Sequence, residues 1–485
     1  MQLVDPDLLR QQCFISGRWI DADDFSVAPV NNPATGVLIG TVPVCGKSET
    51  QHAIAAAAEA FLTWRFTTAK ARCVILRKLA DLMLQHQDDL ALMLTAEQGK
   101  PLIEAAGEIV YAASFIEWFA EEARRQYGDT IPAPQTDRRL MVIKEPVGVC
   151  AAITPWNFPL AMLARKVGPA LAAGCTMVVK PALQTPFSAL AFGVLAERAG
   201  VPAGVLSIVT GDAHAIGGEL TANTAVRKLS FTGSTETGRT LMRQCSATIK
   251  KISLELGGNA PFIVFDDADL EAAVDGVMIA KYRNAGQTCV CANRIYVQRK
   301  VYQTFADKLV ARVRDLKVGN GTEVGVHQGP LIDHAAVVKI EEHIADALAK
   351  GARILVGGKR HELGGTFFQP TVISNATGEM KVAREETFGP LAPLFEFETE
   401  SQVIALANDT EFGLASYIYT RDIGRVWRVA EQLEYGMVGI NTGLISTAEA
   451  PFGGVKQSGL GREGSKYGLD EYSQIKYLAM AGINS

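Results

Sequence analysis

The segment 286–291, with the sequence GQTCVC, is the part of this chain best suited to covalent chemistry. It places Cys289 and Cys291 one residue apart. A cysteine becomes a strong nucleophile once a base, a cation or a cofactor charge activates its thiol. Two cysteines at this spacing also fit half of a metal site, or two inert buried thiols. The segment alone leaves all three interpretations open.

Two further side chains could take part in such chemistry. Glu255 precedes Leu256 and two glycines, where a partly desolvated carboxylate would have a raised pKa and could serve as a base. Asn157 lies on a short loop between Pro155 and Pro159 and offers an amide donor for an oxyanion. Taken alone, Glu255 is equally well explained as an ordinary charge at a strand end, and Asn157 is better explained as an asparagine that bonds its own turn.

A second pair of motifs could bind phosphate and ribose. Gly233 and Ser234 stand where a predicted strand ends and a helix begins, and such a helix start offers free N–H groups to a phosphate. The segment 231–238 is neither a GxGxxG motif nor a P-loop. Lys180 ends another predicted strand and could reach ribose hydroxyls or a phosphate. A plain Gly-Ser turn and a solvated lysine are the simpler alternatives.

The elements that would position these residues alternate between strand and helix. Helical segments at 160–173, 186–199, 213–222 and 235–248 separate the strands. This alternation predicts a doubly wound parallel sheet with ligands at the carboxyl ends of its strands. The predicted buried strands are 149–154, 176–180, 206–210, 228–231 and 252–256.

The rest of the chain predicts helices before this block and a second α/β block after it. Near the N-terminus we expect a short β segment at 13–20 and then helices at 48–64, 69–86 and 102–127, the first capped by Ser48. Strand-like segments at 139–144 and 472–479 predict a β arm whose two parts pair within or between subunits. The second block is predicted to contain helices at 270–285 and 301–316 and strands at 295–297, 394–397 and 437–441.

Composition excludes several classes of protein. The 485 residues are 48% hydrophobic and carry a net charge of −5, which argues against nucleic-acid and anionic-membrane partners. The N-terminal residues form no secretory signal, and the longest apolar stretch is broken by prolines, so no membrane span is expected. Eight scattered cysteines predict reduced thiols and a cytoplasmic location, and no histidine–cysteine pattern predicts a metal site.

Taken together, these motifs resemble the aldehyde dehydrogenase superfamily, and most closely its succinate semialdehyde dehydrogenase branch. The resemblance extends from end to end, and the segment 283–294 and the segment 451–468 carry the match to the branch. The superfamily motifs occur in the family's order as PWN at 155–157, KPA at 180–182, FTGS at 231–234, LELGGN at 254–259, GQTC at 286–289 and EETFGP at 385–390.

The resemblance implies an α/β fold in three parts. Residues 1–126 and 147–256 would form a doubly wound dinucleotide-binding domain, and 257–455 a second α/β catalytic domain. Residues 127–146 and 456–485 would form a small β arm that assembles the protein as a homodimer or homotetramer.

The resemblance also implies an NAD(P)-dependent reaction without metal. Cys289 would attack the aldehyde, Asn157 would hold the oxyanion, and Glu255 would activate water. Because Leu183 stands where NAD-preferring members often carry an acidic residue, we expect NADP to be preferred and NAD to be usable. The residues expected around the cofactor are Trp156, Asn157, Lys180, Pro181, Ala182, Leu183, Gly233, Ser234, Leu256, Glu386 and Phe388.

For the substrate, the branch's anchors match Arg165, Arg283 and Ser446, which implies an aldehyde with a distal carboxylate: succinate semialdehyde, or alternatively glutarate semialdehyde or another aldehyde. Members of the branch also pair the nucleophile with a second cysteine in a reversible disulfide, which makes Cys291 a candidate redox partner. Two other functions share some of these residues: a thiol-dependent hydrolase or acyl-transfer enzyme, and a catalytically silent dinucleotide-binding protein.

Overall fold

The computed structural model describes residues 1–483, and β-strands at several places along the chain build its sheets. In chain order the strands are β1 (Cys13–Ile15), β2 (Arg18–Ile20), β3 (Val27–Asn31), β4 (Leu38–Pro43), β5 (Asp129–Ile131), β6 (Arg139–Pro146), β7 (Val149–Ile153), β8 (Thr176–Lys180), β9 (Leu206–Ile208), β10 (Val226–Thr232), β11 (Lys251–Glu255), β12 (Ala260–Val264), β13 (Ala292–Gln298), β14 (Arg353–Val356), β15 (Thr371–Ala376), β16 (Leu391–Phe397), β17 (Ala415–Tyr419), β18 (Met437–Ile440), β19 (Gly459–Leu460) and β20 (Ser473–Met480).

Helices precede, connect and flank these strands. In chain order they are α1 (Lys47–Trp64), α2 (Ala69–Gln85), α3 (Gln87–Gln98), α4 (Leu102–Glu122), α5 (Pro159–Ala173), α6 (Phe187–Ala199), α7 (Ala213–Ala222), α8 (Thr235–Ser246), α9 (Leu270–Val277), α10 (Tyr302–Arg314), α11 (His334–Ala349), α12 (Lys381–Arg384), α13 (Glu400–Asn408), α14 (Ile423–Ala430) and α15 (Ser465–Asp470).

The first sheet is the predicted doubly wound sheet. Its strand order is β19-β11-β10-β7-β8-β9-β1-β2, and the five strands from β11 to β9 run parallel. Helices α5 to α8 make the crossovers between these strands, as right-handed βαβ units require. Strand β8 is buried along its whole length, as expected for a central strand covered on both faces. The carboxyl ends of β7, β8, β10 and β11 therefore meet at one edge.

The second sheet positions the cysteine segment. Its order is β14-β15-β16-β13-β12-β17-β18, parallel except for β14 at one edge. Strand β13 begins at Ala292, directly after the GQTCVC segment. Strand β12 begins shortly after β11 ends, so the chain passes from the first sheet to the second next to Glu255. This crossing brings the two sheets' functional loops together.

The predicted arm forms a three-stranded antiparallel sheet of order β20-β6-β5. Lys144 pairs with Ile475 in its register, so the two predicted segments pair within one chain. Ile475 is 73% exposed and Tyr477 is 56% exposed, so the arm presents apolar side chains. Residues 484 and 485 of the predicted arm lie outside the described residues. Of the described helices, none is long and apolar enough to cross a bilayer.

Several predicted boundaries were wrong. Helix α1 starts at Lys47 with Gly46 at its cap, not Ser48, because the Glu49 carboxylate accepts the Gly46 N–H. Helix α4 ends at Glu122, five residues earlier than predicted. The segment 459–460 pairs with β11 in the first sheet, so the chain after 456 does not lie wholly in the arm.

The predicted helix 270–285 was also wrong over its second half. Helix α9 ends at Val277, a π-helical turn spans Met278–Tyr282, and the backbone then kinks. Asn284 and Ala285 have left-handed conformations that no helix accommodates. The apolar spacing continues past the true end because Ala280 and Tyr282 are buried in the core.

Candidate active site

Cys289 lines two cavities that share its side chain. The first has a volume of about 280 Å³, and Arg165, Arg283 and Ser446 contribute to its wall. The second has a volume of about 210 Å³ and is lined by residues at the carboxyl ends of β7, β10 and β11, including Glu255. A group attached to the Cys289 sulfur would therefore face both cavities.

The turn before Cys289 holds three consecutive residues in the left-handed region. The φ angles are +52° at Asn284, +54° at Ala285 and +73° at Gly286. A β-carbon on Gly286 would lie 2.2 Å from the carbonyl oxygen of Gly389, so only glycine fits there. Left-handed backbone at a residue such as alanine is strained and persists only where its surroundings fix it. This strained turn directs the loop that carries Cys289 toward the two cavities.

The Cys289 thiol needs activation. Burial raises the pKa of Cys289 to about 12, and the charges of Glu255 and Glu386 act in the same direction. The Arg165 guanidinium and the main-chain N–H of Cys289 itself oppose this shift of the pKa. At neutral pH the thiol is therefore protonated, and a further positive charge or a base is needed to form the thiolate.

Asn157 lies in the same cavity wall as Cys289, and its side-chain amide has one N–H that is not in use. Its Nδ2 donates a hydrogen bond to the main-chain carbonyl of Gln287 at 3.0 Å, and its Oδ1 accepts one from the Phe158 N–H at 3.1 Å. An amide nitrogen carries two hydrogens, so one N–H remains for an oxyanion. Because Asn157 is buried and lines the second cavity, this donor lies in a site shielded from bulk water.

Glu255 is the last residue of β11 and pairs in register with Thr232 of β10. Its side chain is buried and lines the second cavity, and both carboxylate oxygens lack a hydrogen-bond partner among the described residues. Burial raises the pKa of Glu255 well above its usual range, and the negative charge of Glu463 adds to this. A carboxyl group with unused oxygens and a raised pKa suits proton exchange with a water molecule.

A buried charge network lies beside Glu255. The Lys166 Nζ donates to Glu463 at 2.6 Å and to the Thr232 hydroxyl at 2.6 Å. Arg165 also lies 3.6 Å from Glu463. These two cations lower the pKa of Glu255, against the effect of Glu463. The network therefore sets how readily the Glu255 carboxyl ionises.

The second cavity offers surfaces for a flat ring and a ribose. Trp156 and Phe388 pack edge to face with ring centroids 5.6 Å apart. Glu386 accepts the Gly258 N–H through one oxygen at 2.9 Å, and burial raises its pKa to about 7. The other Glu386 oxygen faces Gly257, where a β-carbon would lie only 2.8 Å away. A carboxylate with one oxygen in use can still accept a ribose hydroxyl.

The start of α8 forms one wall of the second cavity. Ser234 caps this helix by accepting the Thr237 N–H at 3.3 Å, and Gly233 precedes it. Both lie in the cavity wall with Leu256. An apolar floor, a free carboxylate oxygen and a capped helix start are a set of groups that fits a nicotinamide dinucleotide.

The other predicted cofactor residues lie farther along the same sheet edge. Lys180 ends β8 but is buried, and its Nζ donates to the Pro181 carbonyl at 3.2 Å. Leu183 is partly buried and packs against the core of the first sheet. None of the residues from Lys180 to Leu183, including Ala182, lines either of the two cavities at Cys289. A dinucleotide is long enough for its two ends to occupy such separate places.

Arg165 and Arg283 differ in how their charges are compensated. Arg165 donates to the Tyr111 hydroxyl, pairs with Glu463 and lies over the Phe452 ring at 3.9 Å. Arg283 has no ion-pair partner within 4.0 Å among residues 1–483, and its Nε has no hydrogen-bond partner there. Its guanidinium lies 5.5 Å from the Phe158 ring. Arg283 therefore forms no close ion pair in the described part of the chain, although its charge opposes the effect of burial, which raises the pKa of Glu104 in the same cavity.

Cys291 is buried away from both cavities. Its Sγ contacts the main-chain carbonyl of Lys281 at 3.6 Å, and both Cys289 and Cys291 are free thiols. Burial raises the pKa of Cys291, and the Lys281 ammonium opposes the shift. No third His, Cys, Asp or Glu joins the pair in a metal-binding group within the described residues. A disulfide between the two cysteines stays a prediction.

Several residues at this site were missed from the sequence. Lys166 follows a predicted anchor directly, and Glu463 lies in the GREG motif at 461–464, so their positions were visible but their contact was not. Glu104 and Glu108 line the first cavity, because α4 passes beneath it. The sequence predicted a helix here but gave no sign that its glutamates face a cavity.

Comparisons with known proteins agree with the geometry of this site. The model of the aldehyde dehydrogenase family matches residues 19–478. The chain belongs to the aldehyde dehydrogenase family. It is therefore an enzyme of a family that uses NAD(P) to oxidise aldehydes, and the predicted fold class is confirmed.

Relatives of this aldehyde dehydrogenase differ in the substrate they are named for. A glutarate-semialdehyde dehydrogenase of Pseudomonas aeruginosa is 65% identical over 483 residues, covering 100% of both chains. An NADP-dependent succinate-semialdehyde dehydrogenase of Escherichia coli is 65% identical over 480 residues, covering 99% of this chain and 100% of the relative. The crystal structure of a succinate-semialdehyde dehydrogenase from Burkholderia pseudomallei has a TM-score of 0.99 at 66% identity, covering 99% of this chain and 100% of that one.

Proposed function

We propose that this aldehyde dehydrogenase oxidises succinate semialdehyde to succinate, with NADP as its preferred cofactor and NAD as a usable one. The observation that carries the substrate is Arg283. It lines the cavity at Cys289 and has no carboxylate partner among the described residues, so it can receive the carboxylate of a substrate. Arginine suits this role because its planar donors match a carboxylate.

Cys289 forms the covalent bond. The Cys289 thiol gives up its proton to a water molecule, and the thiolate that results adds to the aldehyde carbon while the carbonyl electrons move to the oxygen. The free N–H of Asn157 and the main-chain N–H of Cys289 then donate to this oxyanion. Donors fixed in advance stabilise the tetrahedral adduct without reorganisation, and removing one such donor typically costs about 10²–10³ in kcat.

The second cavity would hold the nicotinamide next to the Cys289 adduct. Trp156, Leu256 and Phe388 would confine the ring, and Glu386 would accept a ribose hydroxyl. When bound, NAD(P) supplies the acceptor for the hydride that leaves the adduct carbon. As the C–O double bond re-forms, Cys289 is left as a thioester.

Glu255 completes the cycle. Its carboxylate accepts a proton from a water molecule, whose oxygen attacks the thioester carbon. The C–S bond breaks, the acid leaves, and the Cys289 thiolate is restored. The two unbonded oxygens of Glu255 support this role, because they are free to bind the water.

Glutarate semialdehyde is the second candidate substrate. It carries the same distal carboxylate on a chain longer by one methylene, and a methylene is worth only about 1–3 kcal/mol in a pocket. The Pseudomonas aeruginosa relative is named for this substrate. The named relatives therefore support glutarate semialdehyde as well as they support succinate semialdehyde.

The preference for NADP rests on Leu183. An apolar side chain there does not repel a 2′-phosphate. Lys180, at the end of β8 three residues earlier, supplies a cation. The Escherichia coli relative is named as NADP-dependent. The Leu183 side chain would contribute no hydrogen bond to an NAD ribose, which supports the same preference.

The assembly is proposed as a homodimer or homotetramer in the cytoplasm. The exposed apolar side chains of the β arm, such as Ile475 and Tyr477, offer a surface for a second copy. The eight free cysteines fit a reducing compartment.

The test is a matrix of two aldehydes and two cofactors. Formation of reduced nicotinamide is followed with succinate and glutarate semialdehydes, each with NADP and with NAD. We expect the highest kcat/KM with succinate semialdehyde and NADP. A higher value with glutarate semialdehyde would favour the second candidate, and hydrolysis of a thioester or ester without any need for nicotinamide would favour the hydrolase.

A further inference from the structure

The main chain of Asn157 is held by a buried lysine that no predicted motif contains. The Lys100 Nζ donates a hydrogen bond to the Asn157 carbonyl at 2.8 Å. The same Nζ donates to the Glu108 carboxylate at 2.6 Å, and both side chains are buried. Lys100 lies in the connection between α3 and α4. Its side chain therefore links this connection to the loop that carries the amide donor of Asn157.

A second side chain also donates to the same carbonyl. The Asn284 Nδ2 donates to the Asn157 carbonyl at 3.0 Å. Glu104 in turn accepts the Asn284 N–H at 2.8 Å. The Asn157 carbonyl therefore has two donors, one of them from the strained turn before Cys289, and its position relative to that turn is fixed.

Glu108 ties this arrangement to α5. One of its oxygens accepts the N–H groups of Leu160 and Ala161 at 3.0 and 3.2 Å, at the start of the helix. Its other oxygen receives the Lys100 Nζ. A buried ion pair contributes little net stability compared with apolar side chains of similar volume. The pair has a positional role here, since the other hydrogen bond of the lysine is made to Asn157, two residues before α5 begins.

We propose that Lys100, oriented by Glu108, is a positioning residue for the amide of Asn157, an inference that rests on the proposed function. Loss of the ammonium would let the Asn157 peptide shift, and the oxyanion donor would move with it. A displacement of about 1 Å can cost about 10²-fold in rate. Because Lys100 contacts the Asn157 main chain and not the reacting atoms, binding of the substrate carboxylate at Arg283 is left intact.

The test compares Lys100→Met with the double variant Lys100→Met/Glu108→Gln. The single change leaves a buried carboxylate unpaired, whereas the double change removes both charges and keeps an acceptor for α5. In both, the rate of the first hydride transfer is expected to fall by about 10- to 100-fold, with the KM for aldehyde and for cofactor changing by less than about threefold. An active, folded double variant with an unchanged rate would overturn the inference.

A double-mutant cycle with Asn157→Ala shows whether Lys100 acts through Asn157. If it does, Lys100→Met has less than about a twofold effect in the Asn157→Ala background, because the amide that it positions is gone. Independent effects that multiply in the combined variant would contradict the inference. Single-turnover experiments allow the rate of the first hydride transfer to be measured even in the slow variants.

Glu97→Gln is the matched control. Glu97 is buried and accepts the N–H groups of Phe187 and Ser188 at 2.7 and 2.8 Å at the start of α6, as Glu108 does at α5, but it has no contact with Asn157. We expect Glu97→Gln to lower thermal stability and to leave the first hydride transfer unchanged. An equal loss of rate in this control would show a general structural effect and overturn the inference. Absence of aldehyde oxidation by the unchanged enzyme would instead refute the proposed function.

Discussion

Gly258 lies so close to the Cys289 main chain that a β-carbon on the glycine would stand 2.5 Å from the Cys289 carbonyl oxygen. This contact joins the end of β11 to the loop before β13. It explains why the residue after Gly257 is also a glycine, since any side chain would push the two loops apart. The contact brings Glu255 and Cys289 to the same cavity, although Glu255 ends a strand of the first sheet and Cys289 lies in the loop before a strand of the second.

Cys289→Ser is expected to lower the rate of aldehyde oxidation by roughly 10⁴-fold or more, because a serine hydroxyl is a far weaker nucleophile in this buried site. Cys291→Ala is the matched control, since Cys291 lines neither cavity. It is expected to keep kcat within about threefold. The measurement is steady-state oxidation of succinate semialdehyde. Equal losses in the two variants would argue against a special role for Cys289.

Glu255→Gln should separate the two halves of the reaction. The amide cannot accept a proton from water, so the thioester accumulates after the first hydride transfer. We expect a burst of one reduced nicotinamide per active site, followed by turnover slower by about 10²–10⁴-fold. Rapid-mixing absorbance and the mass of the acylated protein provide the two readouts. An unchanged steady-state rate would rule out Glu255 as the base.

The pH dependence of deacylation should follow the charge of Glu463. Burial and the Glu463 charge raise the pKa of Glu255, so its active, ionised form increases as the pH rises. Glu463→Gln removes the like charge and leaves Lys166 and Arg165 beside Glu255, which lowers this pKa. We therefore expect the acidic limb of the kcat profile to move down by about one pH unit. A folded, active variant whose limb moves upward or stays in place would contradict this.

Arg283→Met should weaken binding of anionic aldehydes only. A hydrogen bond to a charged group contributes about 1.5–3 kcal/mol, so kcat/KM for succinate semialdehyde should fall by about 10- to 150-fold. Butanal has no carboxylate, and its kcat/KM with the same variant serves as the control and should change by less than about threefold. Equal losses for both aldehydes would show that Arg283 supports the site generally.

Leu183→Glu should reverse the cofactor preference. A carboxylate at this position would repel a 2′-phosphate and could accept the hydroxyl of an NAD ribose. The ratio of kcat/KM for NADP to that for NAD should fall by at least about tenfold. Leu183→Gln has a similar size without the charge and is the matched control. A ratio unchanged in both variants would mean that Leu183 does not contact the adenosine ribose.

The parallel sheet could be predicted because its strands are short apolar runs that alternate with helical segments. The strand 176–180 agrees to the residue, since every one of its side chains is buried and its end is marked by Lys180 and a proline. The pairing of the arm could be anticipated from two strand-like segments that had no other partner. Its register, with Lys144 opposite Ile475, required the structure.

The turn before Cys289 could not be predicted from spacing. The sequence from 270 to 285 keeps a helical pattern of apolar residues, but tertiary contacts impose left-handed backbone at Asn284 and Ala285. The same limit applies to the partners of the proposed catalytic groups. Nothing local indicates that Glu463 lies beside Lys166, or that Lys100 reaches the Asn157 carbonyl. Such contacts join elements that are distant in the chain.

The most direct measurement of the central claim is kcat/KM for succinate semialdehyde against butanal, the neutral aldehyde of the same chain length, with saturating NADP. A Cys289 site with a free Arg283 predicts that succinate semialdehyde is oxidised with a kcat/KM about 10- to 150-fold higher than that of butanal. Equal values for the two aldehydes, or a preference for butanal, would contradict the account.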